Sequence, residues 1–415
     1  MRILNISNMP VWLWGKNKGI PSIFAPQKEY AGRGNEVYFL CPLKEGEPRY
    51  SLEDGVRVRR FDFPFNYRKN VYPQGRGLFF RIKCSARDKL NWLFFQIFAF
   101  TRAVGIASKA RPDIVYAHSP KSAFCGFLIS KLFSAKLVLR VYGVGELYLK
   151  HRSLWHRVKW APEYMAFKVP ADCFIITDDG SHGDLLASSL GVPSGKIKNW
   201  RNGIDQDAYS DPPDAKDGIY KLTGTGPGVK IIASTSRLIP EYGVERVVRA
   251  LVEVFKKESG WICVIAGSGP DEAKLKEIVA RNEMGGKFFF LGIVDRDTVK
   301  NLLAAAELFV FLPEHHNCTN TIWEAMASGK CIVTTETVSL KKVLEPGKDA
   351  VMMLKENMEK LPGVIGELLK NEELRKTLAK NARRKSETAL EKWPERIEKE
   401  LRLLEALAGG SSCEV

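Results

Sequence analysis

The feature that most constrains this chain is an alternation that occurs twice. Short apolar runs rich in β-branched residues are separated by stretches with helical periodicity. In the first half, strands are expected over Arg2–Ser7, Glu36–Cys41, Val56–Phe61, Asp113–Ala117, Lys136–Tyr142 and Asp172–Thr177. Helices are expected over Gln27–Gly32, Trp92–Arg111 and Lys121–Phe133. The second half repeats the pattern with strands Lys230–Thr235, Trp261–Ala266, Lys287–Gly292, Glu307–Leu312 and Lys330–Thr335. Its helices are expected near Val244–Glu258, Asp271–Glu283, Asp297–Ala306 and Thr321–Ser328. Apolar strands joined by helical crossovers form parallel sheets covered on both faces. A chain of 415 residues is too long for one core, so two series mean two doubly wound α/β domains. Pro and Gly cluster in Asp205–Gly228, where the boundary is expected. Gly224-Thr-Gly226 there precedes a strand, which makes it linker rather than a phosphate loop. The small, polar stretch 409–415 is expected to be a disordered tail.

Composition narrows the class. With 45% apolar and 27% charged residues the chain is globular, and disorder is excluded. No run approaches the ~18–20 consecutive apolar residues of a membrane-spanning helix. A strand-like start stands where a secretory peptide needs an uninterrupted apolar core. Eight cysteines are scattered without a C-x-x-C, neither a disulfide framework nor a zinc site, so a reducing, cytoplasmic setting is expected. The net charge of +15 is unevenly placed: residues 1–210 hold 32 Lys and Arg against 17 Asp and Glu, and the remainder balances. A basic half beside a neutral one suggests an anionic partner. Nucleic acid is not expected, because RNA-recognition and zinc-finger signatures are absent and the aromatics sit in apolar runs.

In open α/β sheets ligands sit beyond the carboxyl ends of the strands. After the expected strand Glu307–Leu312 comes a loop holding His316, Cys318, Thr319 and Asn320, then a helix with Glu324. Asn320 or Thr321 would cap that helix, and free N–H groups there suit a phosphate. Thr321-x-x-Glu324 also spells a capping box, in which Glu324 merely reaches back to the cap. After Lys230–Thr235 come Arg237 and Tyr242; the Arg would hold a diphosphate or pair with Glu241. In the first half His118 ends one strand, and Arg140 and Tyr142 end another. The loop after the first strand carries Lys16, Lys18 and Gly19, whose lack of a side chain lets backbone approach a ligand.

Read in order, these pieces resemble the GT-B glycosyltransferases of family GT4 over nearly the whole chain. The landmarks are Asp113-Ile-Val-Tyr-Ala-His118, Asn202-Gly-Ile-Asp205, Ser236-Arg237-Leu238, Gly267-Ser-Gly269-Pro270, Phe290-Leu-Gly292 and Trp323-Glu324-Ala-Met-Ala-Ser-Gly329. The resemblance implies a GT-B fold, two Rossmann-like doubly wound domains facing a central crevice. Residues 1–208 would bind the acceptor and 209–392 the nucleotide-sugar, with helix 393–408 packing back on the first domain. It implies a retaining transferase that needs no catalytic metal or cofactor and uses a UDP- or GDP-sugar. Carried over by position, Glu324 would hold the ribose hydroxyls and Arg237 the diphosphate. His118 would approach the donor sugar, and Gly19 with the Cys318–Asn320 backbone would face the leaving phosphate.

Two positions depart from the family pattern. A Lys usually follows the Arg by five residues, and here it is Tyr242. A Glu usually precedes the ribose Glu by eight, and here it is His316. A Tyr hydroxyl donates one hydrogen bond but carries no charge near pH 7. Lys16, Lys18, Arg140 or His316 would then supply the missing cation, or the chain is a catalytically weakened homologue that binds nucleotide or glycan without efficient transfer. Lys16, Lys18, Arg140, Tyr142, Arg81 and Lys83 form the expected basic patch for a glycan or lipid-linked acceptor. Arg81 and Lys83 lead into the aromatic run Trp92–Phe100, either an ordinary core helix or an amphipathic face for an anionic membrane surface.

Overall fold

The computed structural model describes residues 1–9, 21–66, 78–145, 147–209, 212, 214–314 and 320–413. They form two compact units, one of Met1–Asn202 with Pro394–Val415 and one of Gly203–Trp393.

The first unit holds β1 (Arg2–Ser7), β2 (Glu36–Pro42), β3 (Tyr50–Glu53), β4 (Val56–Phe61), β5 (Ile114–His118), β6 (Lys136–Val141), β7 (Cys173–Thr177) and β8 (Ile197–Trp200). Their order is β3-β4-β2-β1-β5-β6-β7-β8, parallel throughout except for β3 against β4. The second unit holds β9 (Lys230–Thr235), β10 (Trp261–Ala266), β11 (Phe288–Gly292), β12 (Leu308–Phe311), β13 (Cys331–Thr335) and β14 (Val351–Met353), all parallel in the order β11-β10-β9-β12-β13-β14. Successive residues of these strands enter opposite cores. Ile232, Cys263, Ile265, Leu308 and Val310 lie on one face, Ile231, Ala233, Ile262, Val264 and Phe309 on the other. That two-sided burial is why the strands read as continuous apolar runs.

The helix expected at Trp92–Arg111 spans Leu78–Ala110. Its Phe95, Ala99, Ala103, Ile106, Ala107 and Ala110 recur at helical spacing and pack in the core with Leu4, Ile6 and Val115. Within it, Ala86–Ala110 is long and apolar enough to cross a membrane by length and composition alone. The aromatic run resolves the same way: Phe94, Phe95, Phe98 and Phe100 all pack in or against the core. One face of the helix thus covers the parallel sheet, as the core-helix alternative expects, while Leu90, Leu93 and Ile97 stay exposed on it.

The last helix, Trp393–Ala408, belongs to the first unit from Pro394 onward. It buries an ion pair, Arg396 Nη2 to Glu400 Oε2 at 2.8 Å. Glu400 Oε1 also accepts from the hydroxyls of Tyr30 (2.8 Å) and Tyr116 (2.6 Å). Arg396 donates from Nε to the Arg201 carbonyl and lies over the Trp200 ring. Two corrections follow. The expected disordered tail is tied down at Cys413, which is buried and forms a disulfide with Cys173 of β7, a partner 240 residues away that no local spacing reveals. The division lies at Asn202/Gly203 rather than at 208, because Ile204 donates to Glu391 O and accepts from Trp393 N.

Candidate active site

In the second unit three strand ends are held together backbone to backbone. Gly243 (φ 66°) follows the 3-10 turn Pro240–Tyr242; a Cβ there would fall 1.8 Å from the Leu312 carbonyl oxygen. A Cβ on Gly267 (φ 141°) would lie equally close to Ser236 O. Only glycine permits both approaches. Ser236 N donates to Ala266 O and Leu238 N to Ser268 O, so Arg237 rides on a loop fixed at both sides.

Arg237 is exposed, and its guanidinium is directed by Tyr242: Nη2 donates to the hydroxyl at 2.9 Å, and the guanidinium carbon stands 5.1 Å from the ring centroid. The Tyr242 ring in turn stands edge-on to Phe311, with centroids 5.7 Å apart. The residue in place of the family's lysine thus acts on the arginine, as a stacking platform and an acceptor.

Glu324 lies on the helix Asn320–Ala327. The capping box is not formed there: Thr321 Oγ1 donates to Thr235 O (3.1 Å), which ties the helix start to the end of β9 beside Arg237. Glu324 instead turns to Arg296, the first residue of the helix Arg296–Ala305, with Nη2 to Oε1 at 3.4 Å. Arg296 also donates to the hydroxyl of the buried Tyr209 at 3.0 Å. Burial pushes the Glu324 carboxyl above its usual pKa, and the Arg296 charge opposes that rise. With a side-chain exposure of 13%, Glu324 is a sheltered acceptor held by Arg296 and by the Tyr209 hydroxyl. The sequence reading missed Arg296 and Tyr209. They are 87 residues apart, and Arg296 stands 28 residues before Glu324, so no local motif joins the three.

In the first unit the carboxyl ends of β1, β5 and β6 converge on His118, which is fully buried. Asn5 donates its amide to Tyr38 O, leaving Oδ1 to accept from His118 Nε2 at 2.8 Å. Nδ1 is then the acceptor for the Tyr142 hydroxyl at 2.6 Å. Both ring nitrogens are engaged, and burial lowers the pKa to about 3. His118 is therefore a neutral hydrogen-bonding group, not a general base at pH 7. The sign of its linkage follows: between pH 6.5 and 3 only the unfolded chain takes up this proton. Acidification from pH 7 to 5 should cost about 2 kcal/mol through His118 alone. Denaturant titrations of wild type and His118→Asn at both pH values check this; equal pH sensitivity would refute it.

Arg140 does not belong to an exposed basic patch. It is 3% exposed, donates from Nη2 to Asn202 Oδ1 at 3.0 Å and lies over the Tyr142 ring, because β6 is an interior strand covered on both faces. Tyr142 is committed to His118. Arg81 and Lys83 fall in the first turns of Leu78–Ala110. Asn320 opens the helix of Glu324. Lys16, Lys18, Gly19, His316, Cys318 and Thr319 lie outside the described residues. A cavity of about 480 Å³ in the second unit is lined by Glu307, Lys330 and Arg375, at the amino ends of β12 and β13 and so away from Arg237 and Glu324.

The family descriptions "Glycosyltransferase Family 4" and "Glycosyl transferases group 1" match residues 27–208 and 221–385. The chain belongs to the GT4-type glycosyltransferases of GT-B fold. It is 22% identical over 302 residues to an uncharacterized glycosyltransferase of Methanocaldococcus jannaschii, covering 71% of this chain and 76% of the relative. It is 21% identical over 360 residues to N-acetyl-alpha-D-glucosaminyl L-malate synthase of Bacillus anthracis, covering 86% and 85%. Among solved structures, sucrose-phosphate synthase of Thermosynechococcus elongatus superposes with a TM-score of 0.75 at 16% identity, over 99% of this chain and 100% of that one. Anabaena HepE in complex with UDP and glucose gives 0.72 at 17%, with the same coverage.

Proposed function

We propose that this protein is a retaining, metal-independent hexosyltransferase that moves a sugar from a UDP- or GDP-sugar to a glycan or lipid-linked acceptor. The observation that carries the reading is the pairing in the second unit of a sheltered carboxylate, Glu324, with a pre-directed guanidinium, Arg237, on elements joined through Thr321 and Thr235. A carboxylate acceptor suits ribose hydroxyls, and a stacked arginine suits a diphosphate. HepE in complex with UDP and glucose supports a nucleotide-sugar donor.

In this reading the acceptor oxygen bonds to the anomeric carbon on the face from which the diphosphate departs. The bond to the phosphate oxygen breaks with its electron pair, and that oxygen takes the acceptor's proton. Arg237 would face the charge that develops; the roles that the family resemblance implies for Gly19, His316, Cys318 and Thr319 fall on residues outside the described ones. The neutral His118 contributes hydrogen bonding only. The acceptor is met at the anionic inner face of a membrane, with the protein itself cytoplasmic.

Thermal unfolding against UDP, GDP and ADP tests the donor site. A nucleotide at 100 times its dissociation constant should add ~2.7 kcal/mol to the wild type. Glu324→Ala should lose that stabilisation, and EDTA should leave turnover unchanged. Stabilisation without transfer to any acceptor in a broad panel would favour the weakened homologue, motivated by Tyr242 and His316 in place of the family's Lys and Glu.

A further inference from the structure

Between β6 and β7 the chain forms three short helices, Leu147–Lys150, Leu154–Lys159 and Ala161–Ala166. Their polar groups turn inward. Tyr164 donates its hydroxyl to Leu147 O (2.9 Å), His156 Nδ1 lies 3.0 Å from that hydroxyl, and Ser153 caps the middle helix. Glu163, the sole acid between 147 and 168, is buried beside Lys121 at 3.5 Å. Leu147, Tyr164 and Ala166 enter the core, but other apolar groups turn outward: Leu154 is 76% exposed and Trp155 78%, with Leu149, Val158 and Met165 also in solvent. Lys150, Arg152, Arg157, Lys159 and Lys168 lie in the same stretch. Exposed Trp and Leu ringed by cations are unfavourable in water alone, and match a surface that is apolar beneath and anionic above.

We infer that this segment, Lys150 to Met165, is the face by which the protein docks on an anionic lipid bilayer, Leu154 and Trp155 entering the headgroup region. The inference rests on the membrane reading above and says which residues make the contact. Among the described side chains of the long helix Leu78–Ala110, Leu90, Leu93 and Ile97 are exposed on one face, but Phe95 lies in the core and Trp92 donates to the Lys121 carbonyl, so that face offers no exposed tryptophan and serves as the control surface. Charge argues against a second copy as the occupant. A two-fold contact through this segment would set its cations against themselves, whereas anionic headgroups complement them.

The test is flotation of the full chain with phosphatidylcholine vesicles, with and without phosphatidylglycerol. Wild type should bind the anionic vesicles at least about tenfold better, and lose that binding as salt rises from 0.1 to 0.5 M. Leu154→Glu with Trp155→Glu should lower binding at least tenfold at an unchanged melting temperature; Leu93→Glu with Ile97→Glu should change it less than twofold. Should the first pair misfold, brominated lipids decide: they should quench wild-type tryptophan fluorescence, and Trp155→Phe should remove most of that quenching. Failure of wild type to bind anionic vesicles defeats the membrane reading and this inference together. Equal binding by the Leu154/Trp155 variant, or quenching unaltered in Trp155→Phe, leaves the membrane reading intact and overturns this face. A dimer in sedimentation that the Leu154/Trp155 variant abolishes, without vesicle binding, also overturns it.

Discussion

Glu400→Ala lowers the stability of the unit containing residues 1–202 by about 3–5 kcal/mol, the range for removing one partner of a buried ion pair. The change strips Arg396 of its counter-charge and leaves the Tyr30 and Tyr116 hydroxyls without their acceptor. Equilibrium denaturation followed by a probe in that unit measures it; a loss below 1 kcal/mol would refute the account. Replacing both partners, Glu400→Leu with Arg396→Met, should cost much less than either single change, because no charge is then left uncompensated. Arg396 and Arg140 hold the Glu400 carboxyl down to about 2 against the penalty of burial. A depressed carboxylate pKa gives stability that is full above the unfolded value near 4.5 and is lost as pH falls from there toward 2. The alanine variant should therefore lose part of the acid sensitivity that wild type shows below pH 5.

Arg296→Ala is expected to weaken nucleotide binding by about 10–100-fold, the scale of losing a charge-assisted contact that holds a buried acceptor. Without Arg296, burial is opposed only by the Tyr209 hydroxyl and the Lys300 charge, the Glu324 pKa rises further, and a protonated carboxyl is the poorer acceptor for ribose hydroxyls. Calorimetry should show the deficit shrinking as pH is raised, since the carboxylate is then recovered. A 2′-deoxy nucleotide should feel the substitution less than its ribose counterpart. An equal loss for both sugars, flat with pH, would show that Arg296 supports the fold and not the carboxylate.

The sequence made the repeated strand-helix alternation legible because the sheets are buried on both faces, which forces nearly unbroken apolar runs at the strands. It concealed β3, β8 and β14, which are short and lie at or near sheet edges where half-exposed residues break the pattern. It also concealed the three helices between β6 and β7. They are only four to six residues long and leave Leu154, Trp155, Val158 and Met165 in solvent, so too few buried positions recur to impose a period. At the candidate donor site Glu324 and Arg237 stood out through local motifs. Their positioners did not: Tyr209 reaches Arg296 across 87 residues, and only packing puts them together. Tyr242 read from sequence as a lost charge; in the structure it is the ring on which Arg237 lies.

The polar centre of the first unit is also closed late in the life of each molecule. Tyr30 and the carboxylate that satisfies it, Glu400, are separated by 370 residues. At a synthesis rate of roughly 5–20 residues per second, about 20–70 s pass on the ribosome between the two. For the part of that interval after β8 has been made, the eight strands of the sheet can pair while Tyr30 and Tyr116 have no carboxylate to bind. The nascent first unit must therefore persist with these hydroxyls, one on the helix Pro21–Gly32 and one on β5, unsatisfied, and the whole second unit is made before Glu400 arrives. A chain built this way is exposed during its birth to whatever recognises unfinished apolar surface, long after its first half has been translated.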